Sequence, residues 1–433
     1  MRMDLDGALA YLNEHVNLET DPSPSAAAKR LDRVVRLTEL MGDPQRTYPV
    51  LHLTGTNGKG STARMLTALL VAKGLAVGTY TSPHLERFNE RIAWNGEPIS
   101  DAAFVEIIET VASIERAMDE APTVFEILTA AAFRWFADVA VDAGVIEVGL
   151  GGRWDATNVA DGQVAVVTNV SLDHAETIGP TLADIATEKA GIVKPGSTLV
   201  LGEADPDLAA IFRAAGAAEI WERDHDFGCE VNRLAHGGRL LDMRTPGARY
   251  DDVYLPLHGA HQGENAAIAL AAAEAFFGAP LAPAVVEEAF AGVRVPGRLE
   301  VLSRRPLVIL DGAHNPAGAA AAAEAIAEEF GNASGRVLVV GLLQGKDPVE
   351  MLQAVDARDA RALVACPAPS PRTLPPAEVA AAARALGIES EAAGSVPEAL
   401  ARALAIASPD DLVLITGSLY VVGAARAALA VGR

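Results

Sequence analysis

Leu53-Thr54-Gly55-Thr56-Asn57-Gly58-Lys59-Gly60-Ser61-Thr62 is the stretch on which the fold turns. The apolar run Val50-Leu51-His52-Leu53 leads into it, and an Ala/Leu-rich helical pattern from Thr62 to Lys73 leads out. Strand, glycine-rich turn, lysine, hydroxyl residues, helix is the order that a phosphate-binding loop needs. Glycines let backbone N–H groups turn inward around phosphate oxygens. The N-terminus of the following helix adds partial positive charge. In such a loop Lys59 reaches the outer phosphates, and Ser61 or Thr62 meets a magnesium ion. The match departs from the common pattern in two places. Leu53 stands where the first glycine is usual, and Gly60 separates Lys59 from the hydroxyl residues. An ordinary Gly-rich strand-to-helix turn has the same outline, so the rest of the chain must decide.

With 433 residues the chain has room for two or three domains, each with its own core. Half the residues are hydrophobic but only 5% are aromatic, so alanine carries much of the apolar content and Ala-rich helices packed closely on sheets are expected. The formal net charge of −22 argues against nonspecific nucleic-acid binding and against an anionic membrane surface. It leaves anionic small substrates open, since these need only a few focused cationic groups and a metal. The two cysteines, Cys229 and Cys366, lie far apart, form neither a disulfide framework nor a zinc spacing, and read as buried, reduced thiols of a cytoplasmic protein. The acidic, interrupted N-terminus does not read as a secretion signal, and the Ala-rich runs are too often broken by Glu or Asp for a membrane span.

Along the chain, residues 4–18 and 26–41 read as helices separated by a Pro/Ser break at 21–25. On the second of them Leu31, Val34, Val35 and Leu37 mark the buried side, and Lys29, Arg30, Arg33 and Arg36 are expected mostly on a solvated face. Residues 76–81 read as a strand that runs into the polar loop Ser82-Pro83-His84-Leu85-Glu86-Arg87-Phe88-Asn89-Glu90-Arg91-Ile92. A polar loop at a strand's C-terminal end, beside a phosphate loop, is where ligands sit in open α/β sheets. Ser100 caps a helix to about Met118, and Pro122–Glu126 opens another to about Ala140. The strand 143–148 is apolar except for Glu147, a costly placement unless that carboxylate meets a cation or a set of donors. Magnesium is the cation that a phosphate loop suggests. A further strand at 164–170 ends in Ser171-Leu172-Asp173-His174. A lone histidine is more often structural, but at this edge His174 becomes a candidate second ligand. Lys189, in a helical stretch from Leu182 to Gly191, reads by its context as an ordinary surface lysine.

Residues 198–201 form a fifth strand, and between 227 and 257 the pattern changes to a small antiparallel region around the turn Ala235-His236-Gly237-Gly238. Leu257-His258-Gly259-Ala260-His261-Gln262-Gly263-Glu264-Asn265 then opens a long Ala-rich helix to about Phe277; Gln262 and Asn265 suit an adenine edge, while capping accounts for Asn265 alone. Pro296-Gly297-Arg298 reads as a linker. Beyond it strands at 307–310, 337–340, 362–365 and 412–415 alternate with helices, and the first is followed by Asp311-Gly312-Ala313-His314-Asn315-Pro316. The expected fold class is α/β: an N-terminal P-loop-type parallel-sheet ATPase domain with a small β subregion (1–296), and a smaller C-terminal Rossmann-like α/β domain (297–433).

Taken together, these strings resemble the folate-adding members of the Mur-ligase-like, ATP-dependent amide-bond ligases, the dihydrofolate synthase/folylpolyglutamate synthase family. The resemblance covers nearly the whole chain and rests on the order of Thr54–Thr62, Ser82–Ile92, Phe125–Phe133, Glu147–Asn158, Asp173–His174, Glu188–Ile192, His258–Asn265, Pro296–Arg298, Asp311–Gly318 and Gly417–Gly423. Gly60, awkward for the common phosphate loop, fits this family's version of it.

The resemblance implies that Thr56, Asn57, Gly58, Lys59, Gly60 and Ser61 hold ATP, with Asn265, Arg298 and Asp311 as further ATP contacts. It implies Lys59, Glu147, His174 and Lys189 as the catalytic group. Ser82, Glu147 and His174 would ligate one or two Mg2+, joined by Lys189 if it carries a carbamate, and the family leaves room for a monovalent cation. Thr123, Phe125, Glu126, Arg153, Trp154, Asp155 and Ala156 match the segments lining the pterin or folate pocket, where Trp154 replaces the usual Leu or Phe. His314 falls on the glutamate side. The implied reaction joins L-glutamate to dihydropteroate, to the γ-carboxyl of reduced folates, or to both, through an acyl phosphate, with release of ADP and phosphate. The implied enzyme is a cytoplasmic monomer that acts on small molecules and has no nucleic-acid or membrane partner. Two other readings stand beside it: a cell-wall Mur ligase adding an amino acid to a UDP-muramyl substrate, and a regulatory NTPase without ligase chemistry.

Overall fold

The structure, a computed structural model, describes residues 3–20 and 30–431. Its largest element is an eight-stranded sheet in the order Glu97–Pro98, Ile92–Trp94, Val77–Tyr80, Ala143–Glu147, Val50–Thr54, Gly162–Val167, Thr198–Leu201 and Glu219–Glu222. The six strands from Val77–Tyr80 onward run parallel, and Ile92–Trp94 joins them antiparallel. Val50–Thr54 lies in the middle, hydrogen-bonded to Ala143–Glu147 on one side and Gly162–Val167 on the other.

Side-chain alternation sorts this strand between two cores. Leu51 and Leu53 face a layer made by the helices Lys59–Ala72, His261–Phe277 and Pro283–Ala291. Val50 faces a second layer with Phe104, Ile108, Phe133 and Phe136, from the helices Asp101–Glu115 and Val124–Asp138. Helix His261–Phe277 is buried on nearly every side: Ala266, Ala267, Ala269, Ala271, Ala272 and Ala273 are all at most 1% exposed. Small side chains let this helix lie against both the sheet and helix Lys59–Ala72, as the alanine content anticipates. A three-stranded antiparallel sheet, Gly228–Ala235, Gly238–Arg244 and Arg249–Leu255, closes the outer edge of the same core through Leu241, Met243 and Val253.

After Pro296-Gly297-Arg298 a second, six-stranded sheet begins. Its order is Glu300–Arg304, Leu307–Leu310, Leu412–Thr416, Arg336–Val340, Ala362–Ala365, Ser390–Ala392, parallel except for the first strand. Helices Pro316–Phe330, Pro348–Ala354 and Pro376–Ala385 cover one face, and Val396–Ile406 and Leu419–Val431 the other. Among the described residues no helix is long and apolar enough to cross a membrane.

Several local expectations change. The first helix is shorter than read, Leu5–Asn13. The second spans Asp32–Leu40 within the described residues; the break at 21–25 and the start of the helix read from 26 lie outside them. Helix Pro206–Arg213, which holds the apolar run Leu208–Phe212, adds to the elements read above, and strands Glu219–Glu222, Glu300–Arg304 and Ser390–Ala392 carry no strong apolar run, because each is short and partly exposed. Arg33 is a clear correction. It is 4% exposed and forms a forked ion pair with Glu126 at 3.0 Å, so it belongs to the interior and not to a solvated face. Cys366 is buried as expected, whereas Cys229 is only half-buried.

Candidate active site

The parallel strands of the first sheet end on one side, and their C-terminal loops build a cleft there. Strand Val50–Thr54 delivers the glycine-rich loop, and helix Lys59–Ala72 leaves it. Two glycines in the loop are required by geometry. A β-carbon at Gly55 would run into Thr168 Oγ1. Gly58 has φ +84°, and a β-carbon there would run into Asn265 Oδ1. The loop is held from outside by the end of strand Gly162–Val167. Thr168 Oγ1 donates to Asn57 O at 2.6 Å, Asn169 Nδ2 donates to the same oxygen at 3.0 Å, and Asn57 N donates to Asn169 Oδ1 at 3.0 Å. Thr168 and Asn169 lie outside the sequence-based site set, and their only signal is their place directly after an apolar strand.

Lys59 folds back over its own loop, with Nζ donating to Gly55 O at 3.0 Å and Thr56 O at 3.3 Å. Burial pushes its amine down, opposed by Glu147 and Asp173. Glu147 closes strand Ala143–Glu147 and is 3% exposed. Its Oε2 accepts from Ser82 N at 3.2 Å, and burial pushes its carboxyl up against the pull of Lys59. A β-carbon at Gly60 would lie 3.6 Å from that same oxygen, so the residue that looked misplaced in the loop leaves open space in front of Glu147.

Lys189 does not behave as a surface lysine. It is 4% exposed, and its Nζ donates to Gly55 O at 2.8 Å. Burial, aided by the neighbouring Lys59, pushes its amine down to about 7. His174 sits at φ +51° in the loop after strand Gly162–Val167, and burial pushes its imidazole down against the pull of Asp173. A histidine kept neutral at pH 7 can offer a lone pair to a metal.

The second sheet supplies the opposite wall. Arg298 and His314 line the same cleft as Gly55–Gly60, Ser82, Glu147, Asp173, His174 and Lys189. His314 Nδ1 donates to Gly312 O at 3.0 Å, which leaves Nε2 as the acceptor nitrogen, and burial pushes the imidazole down to about 4. Asp311 is turned into its own loop, accepting from Leu299 N at 3.0 Å and Ala313 N at 2.9 Å. Asn265 lies behind Gly58, its Nδ2 donating to Gln262 Oε1 at 3.0 Å; it is buried inside the helix and does not cap it.

Contacts cross the cleft at its base. Asn315 Nδ2 donates to Asn57 Oδ1 and to Asp173 Oδ2, both at 3.0 Å. Lys346 Nζ forms an ion pair with Asp173 Oδ1. Burial pushes the Asp173 carboxyl up, but His174, His314 and Lys346 outweigh it and hold it well below the usual carboxylate range. Asn315 and Lys346 are also outside the sequence-based set. Asn315 is the residue after His314, and Lys346 follows Gly345 in the loop after strand Arg336–Val340.

The expected pterin segments are placed beside the cleft in different ways. Phe125 packs over Gly149, and its ring lies 6.0 Å from that of Tyr80. Thr123 and Glu126 form a reciprocal cap at the start of helix Val124–Asp138, with Glu126 also held by Arg33. Asp155 is 6% exposed, and its carboxylate accepts from Leu150 N at 2.9 Å and Thr157 N at 3.0 Å. Ala156 is buried, whereas Arg153 is exposed and Trp154 is 42% exposed. Ser61 is buried in the first turn of helix Lys59–Ala72.

Among the described residues no three His, Cys, Asp or Glu side chains gather into a metal-holding cluster. The chemistry of the donors at the cleft still fits a hard divalent cation. Glu147 is a buried carboxylate with one backbone donor, Ser82 adds a hydroxyl, and His174 adds a neutral imidazole. Magnesium takes few protein ligands and keeps waters and phosphate oxygens for the rest.

The comparisons with known proteins bear on the family and the fold. The model of the Mur ligase middle domain matches residues 53–273, and that of the Mur ligase, glutamate ligase domain, matches residues 297–419. The dihydrofolate synthase/folylpolyglutamate synthase of Mycobacterium tuberculosis is 42% identical over 350 residues, covering 75% of this chain and 72% of that one. The structure of Mycobacterium tuberculosis folylpolyglutamate synthase complexed with ADP superimposes with a TM-score of 0.91 at 38% identity, over 99% of this chain and 98% of that one. A complex of FPGS with AMPPCP and folate gives a TM-score of 0.84 at 34% identity, over 98% and 99% of the two chains.

Proposed function

The chain belongs to the Mur ligase family, in its dihydrofolate synthase/folylpolyglutamate synthase branch, and from that premise we propose that it joins L-glutamate to dihydropteroate, to the γ-carboxyl of folates, or to both, with ATP as the energy source. The observation that carries this reading is the convergence of Lys59, Glu147, His174 and Lys189 from the first sheet with Arg298 and His314 from the second on one cleft.

A carboxylate does not react with an amine in water, because oxide is too poor a leaving group. Transfer of the ATP γ-phosphoryl to the carboxylate gives an acyl phosphate. The glutamate amine then bonds to the acyl carbon, the tetrahedral adduct collapses, the C–O bond to phosphate breaks, and an amide, ADP and phosphate remain. The protein's part is positioning and charge stabilisation. The amides of Thr56–Ser61 cradle the phosphates, and Lys59 leaves Gly55 O and Thr56 O to meet the transferring phosphoryl. Asn265, behind Gly58, and Arg298 and Asp311, from beyond the linker, complete the nucleotide site. Ser82, Glu147 and His174 would hold magnesium, which when bound neutralises charge on the phosphate oxygens. His314, whose Nδ1 is tied to Gly312 O and whose Nε2 lies 3.6 Å from Asp173 Oδ2, suits the glutamate side, where the incoming ammonium must lose a proton.

Lys189 has the properties that a carbamate needs. An amine pushed down to about 7 is partly neutral at pH 7. Its nitrogen can bond to the carbon of CO2 and release one proton, turning a buried cation into an anion beside Lys59. Phe125, backed by the buried Tyr80 ring, and the loop Gly149–Ala156 form the candidate pterin wall, with Arg153 and Trp154 at its exposed rim. The chain divides between 296 and 297, and closure of 297–433 onto 1–296 expels the water that would hydrolyse the acyl phosphate. The cross-cleft bonds of Asn315 and Lys346 support that closed arrangement.

The test is phosphate release from ATP with the purified protein. Release that requires dihydropteroate or tetrahydrofolate together with glutamate, with a glutamylated product, supports the proposal. Release that requires a UDP-muramyl substrate, or that needs neither acceptor nor amino acid, overturns it. Assaying the two pteridine acceptors separately assigns the synthase activities.

A further inference from the structure

His52 stands in the middle of the central strand, between Leu51 and Leu53, and is wholly buried. A β-carbon at Gly162 would meet His52 Cβ at 3.0 Å, so the neighbouring strand makes room for it. An aliphatic β-branched residue would fill such a site without any polar atom. His52 instead brings one nitrogen that is bonded and one that is not: Nε2 lies 2.8 Å from Thr157 Oγ1, and Nδ1 is buried without a hydrogen-bond partner among the described residues.

The direction of each bond in this chain is fixed by chemistry. Thr157 Oγ1 lies 2.5 Å from Asp155 Oδ1; burial pushes the Asp155 carboxyl up, but both its oxygens already accept, Oδ1 from Thr157 N and Oδ2 from Leu150 N, so it meets the Thr157 hydroxyl as an acceptor. The single hydroxyl proton of Thr157 therefore goes to Asp155. The hydroxyl oxygen must then receive from His52, so Nε2 carries the proton and Nδ1 is left bare. Asp155, supplied in this way, gathers Leu150 N and Thr157 N and shapes the loop that follows Glu147. Gly149, Leu150 and Gly151 of that loop line the cleft, and Gly151 O accepts from Thr54 Oγ1 at 2.7 Å.

We propose that His52 is a positioning residue for the ligase reaction: through Thr157 it keeps Asp155 supplied with a proton donor and so fixes the Gly149–Gly151 wall of the cleft. The orphaned Nδ1 is the sign of that role, because a merely space-filling residue would leave no buried acceptor unmet. Burial pushes the His52 imidazole down to about 3, with Lys194 adding to the effect, so the ring stays neutral and the donor does not switch with pH. Asp155 adds a minor upward pull on the Lys59 and Lys189 amines, both of which donate to Gly55 O. The role rests on the ligase reading above, but its first test does not use activity.

The intact protein labelled with 15N-histidine, with His52 assigned by its absence in His52→Gln, reports the tautomer directly. A protonated Nε2 and a bare Nδ1, unchanged between about pH 6 and pH 8, are expected. A protonated Nδ1, or a ring that titrates in that range, overturns the proposal. In the phosphate-release assay, His52→Leu is expected to lower kcat about tenfold, the loss of one hydrogen bond serving a charged group, with KM for ATP and thermal stability held. His52→Gln, which keeps an N–H at the end of the side chain, is expected to recover most of the rate. Thr157→Val cuts the same chain outside the strand and is expected to match His52→Leu. Parent kcat in either His52→Leu or Thr157→Val, or no advantage of His52→Gln over His52→Leu, overturns the proposal. A parent protein without folate- and glutamate-dependent release overturns the ligase reading instead and leaves the tautomer result standing.

Discussion

Asn57, on the glycine-rich loop, and Asn315, at the start of a helix of the second sheet, exchange amide hydrogen bonds of 3.0 and 3.3 Å across the cleft. Asn315 also caps its own helix, with Oδ1 accepting from Gly318 N at 2.8 Å. Asn315→Asp keeps the cap, removes the donor to Asn57 and Asp173, and sets a second carboxylate beside Asp173. We expect its kcat to fall at least about tenfold, with the melting temperature little changed, because like charge opposes closure and not folding. Steady-state kinetics beside a thermal melt checks this.

Lys189 is the second point of attack. Lys189→Ala removes both the bond to Gly55 O and the amine that would take up CO2. The expected result is loss of ligation, partly restored by bicarbonate with a short carboxylic acid such as acetate or propionate, which can occupy the emptied volume as an anion. Loss with no rescue by any such acid weakens the carbamate and leaves the lysine only its bond to the loop.

Arg33 and Glu126 make a buried pair, 4% and 5% exposed. Arg33→Met leaves the Glu126 carboxylate with Thr123 N as its one remaining hydrogen-bond donor among the described residues. Breaking one side of a buried pair costs about 3–5 kcal/mol, so urea unfolding should show a loss of that size. Arg33→Met with Glu126→Gln should recover part of it, because no unpaired charge is then buried.

The pH dependence of stability has a calculable sign at His52. Its folded-state value is depressed to about 3 from the usual 6.5 of the unfolded chain. The unfolded chain therefore binds more protons between those values, and the contribution is fully present above pH 6.5 and is lost as pH falls toward 3. The slope is at most about 1.4 kcal/mol per pH unit for this one group. In His52→Leu the acid side of the stability profile should be flatter by that amount, as denaturant titrations at several pH values would show.

Most parts of the site that the sequence announced share one property: each lies at the end of an apolar strand or in the loop that follows it, where a polar or glycine-rich string stands out against its surroundings. Lys59, Glu147, His174 and the Asp311–Asn315 string are all of this kind. What stayed hidden depends on partners far along the chain. Arg33 has the helical spacing of a surface residue, and only Glu126, brought next to it by folding, shows otherwise. Lys189 reads as exposed until Gly55 O, 134 residues away, is placed 2.8 Å from its amine. Lys346 meets Asp173 only because the two sheets face each other. His52 looks like a stray polar residue in a strand until Thr157 and Asp155 are seen beneath the cleft wall. The strands Glu300–Arg304 and Ser390–Ala392 were illegible for a related reason: half-exposed sheet edges need no apolar run.

The most direct measurement is glutamylation by Lys59→Ala beside the parent protein, with ATP, tetrahydrofolate or dihydropteroate, and glutamate all saturating, and with product followed by mass. The parent should form ADP and one amide in equal amounts. Lys59→Ala should remain folded and lose about 100-fold or more in kcat, the usual scale for removing a group that stabilises charge developing in the transition state. Product formation by Lys59→Ala at near the parent rate would contradict the assignment of this loop and this cleft to ATP-dependent ligation.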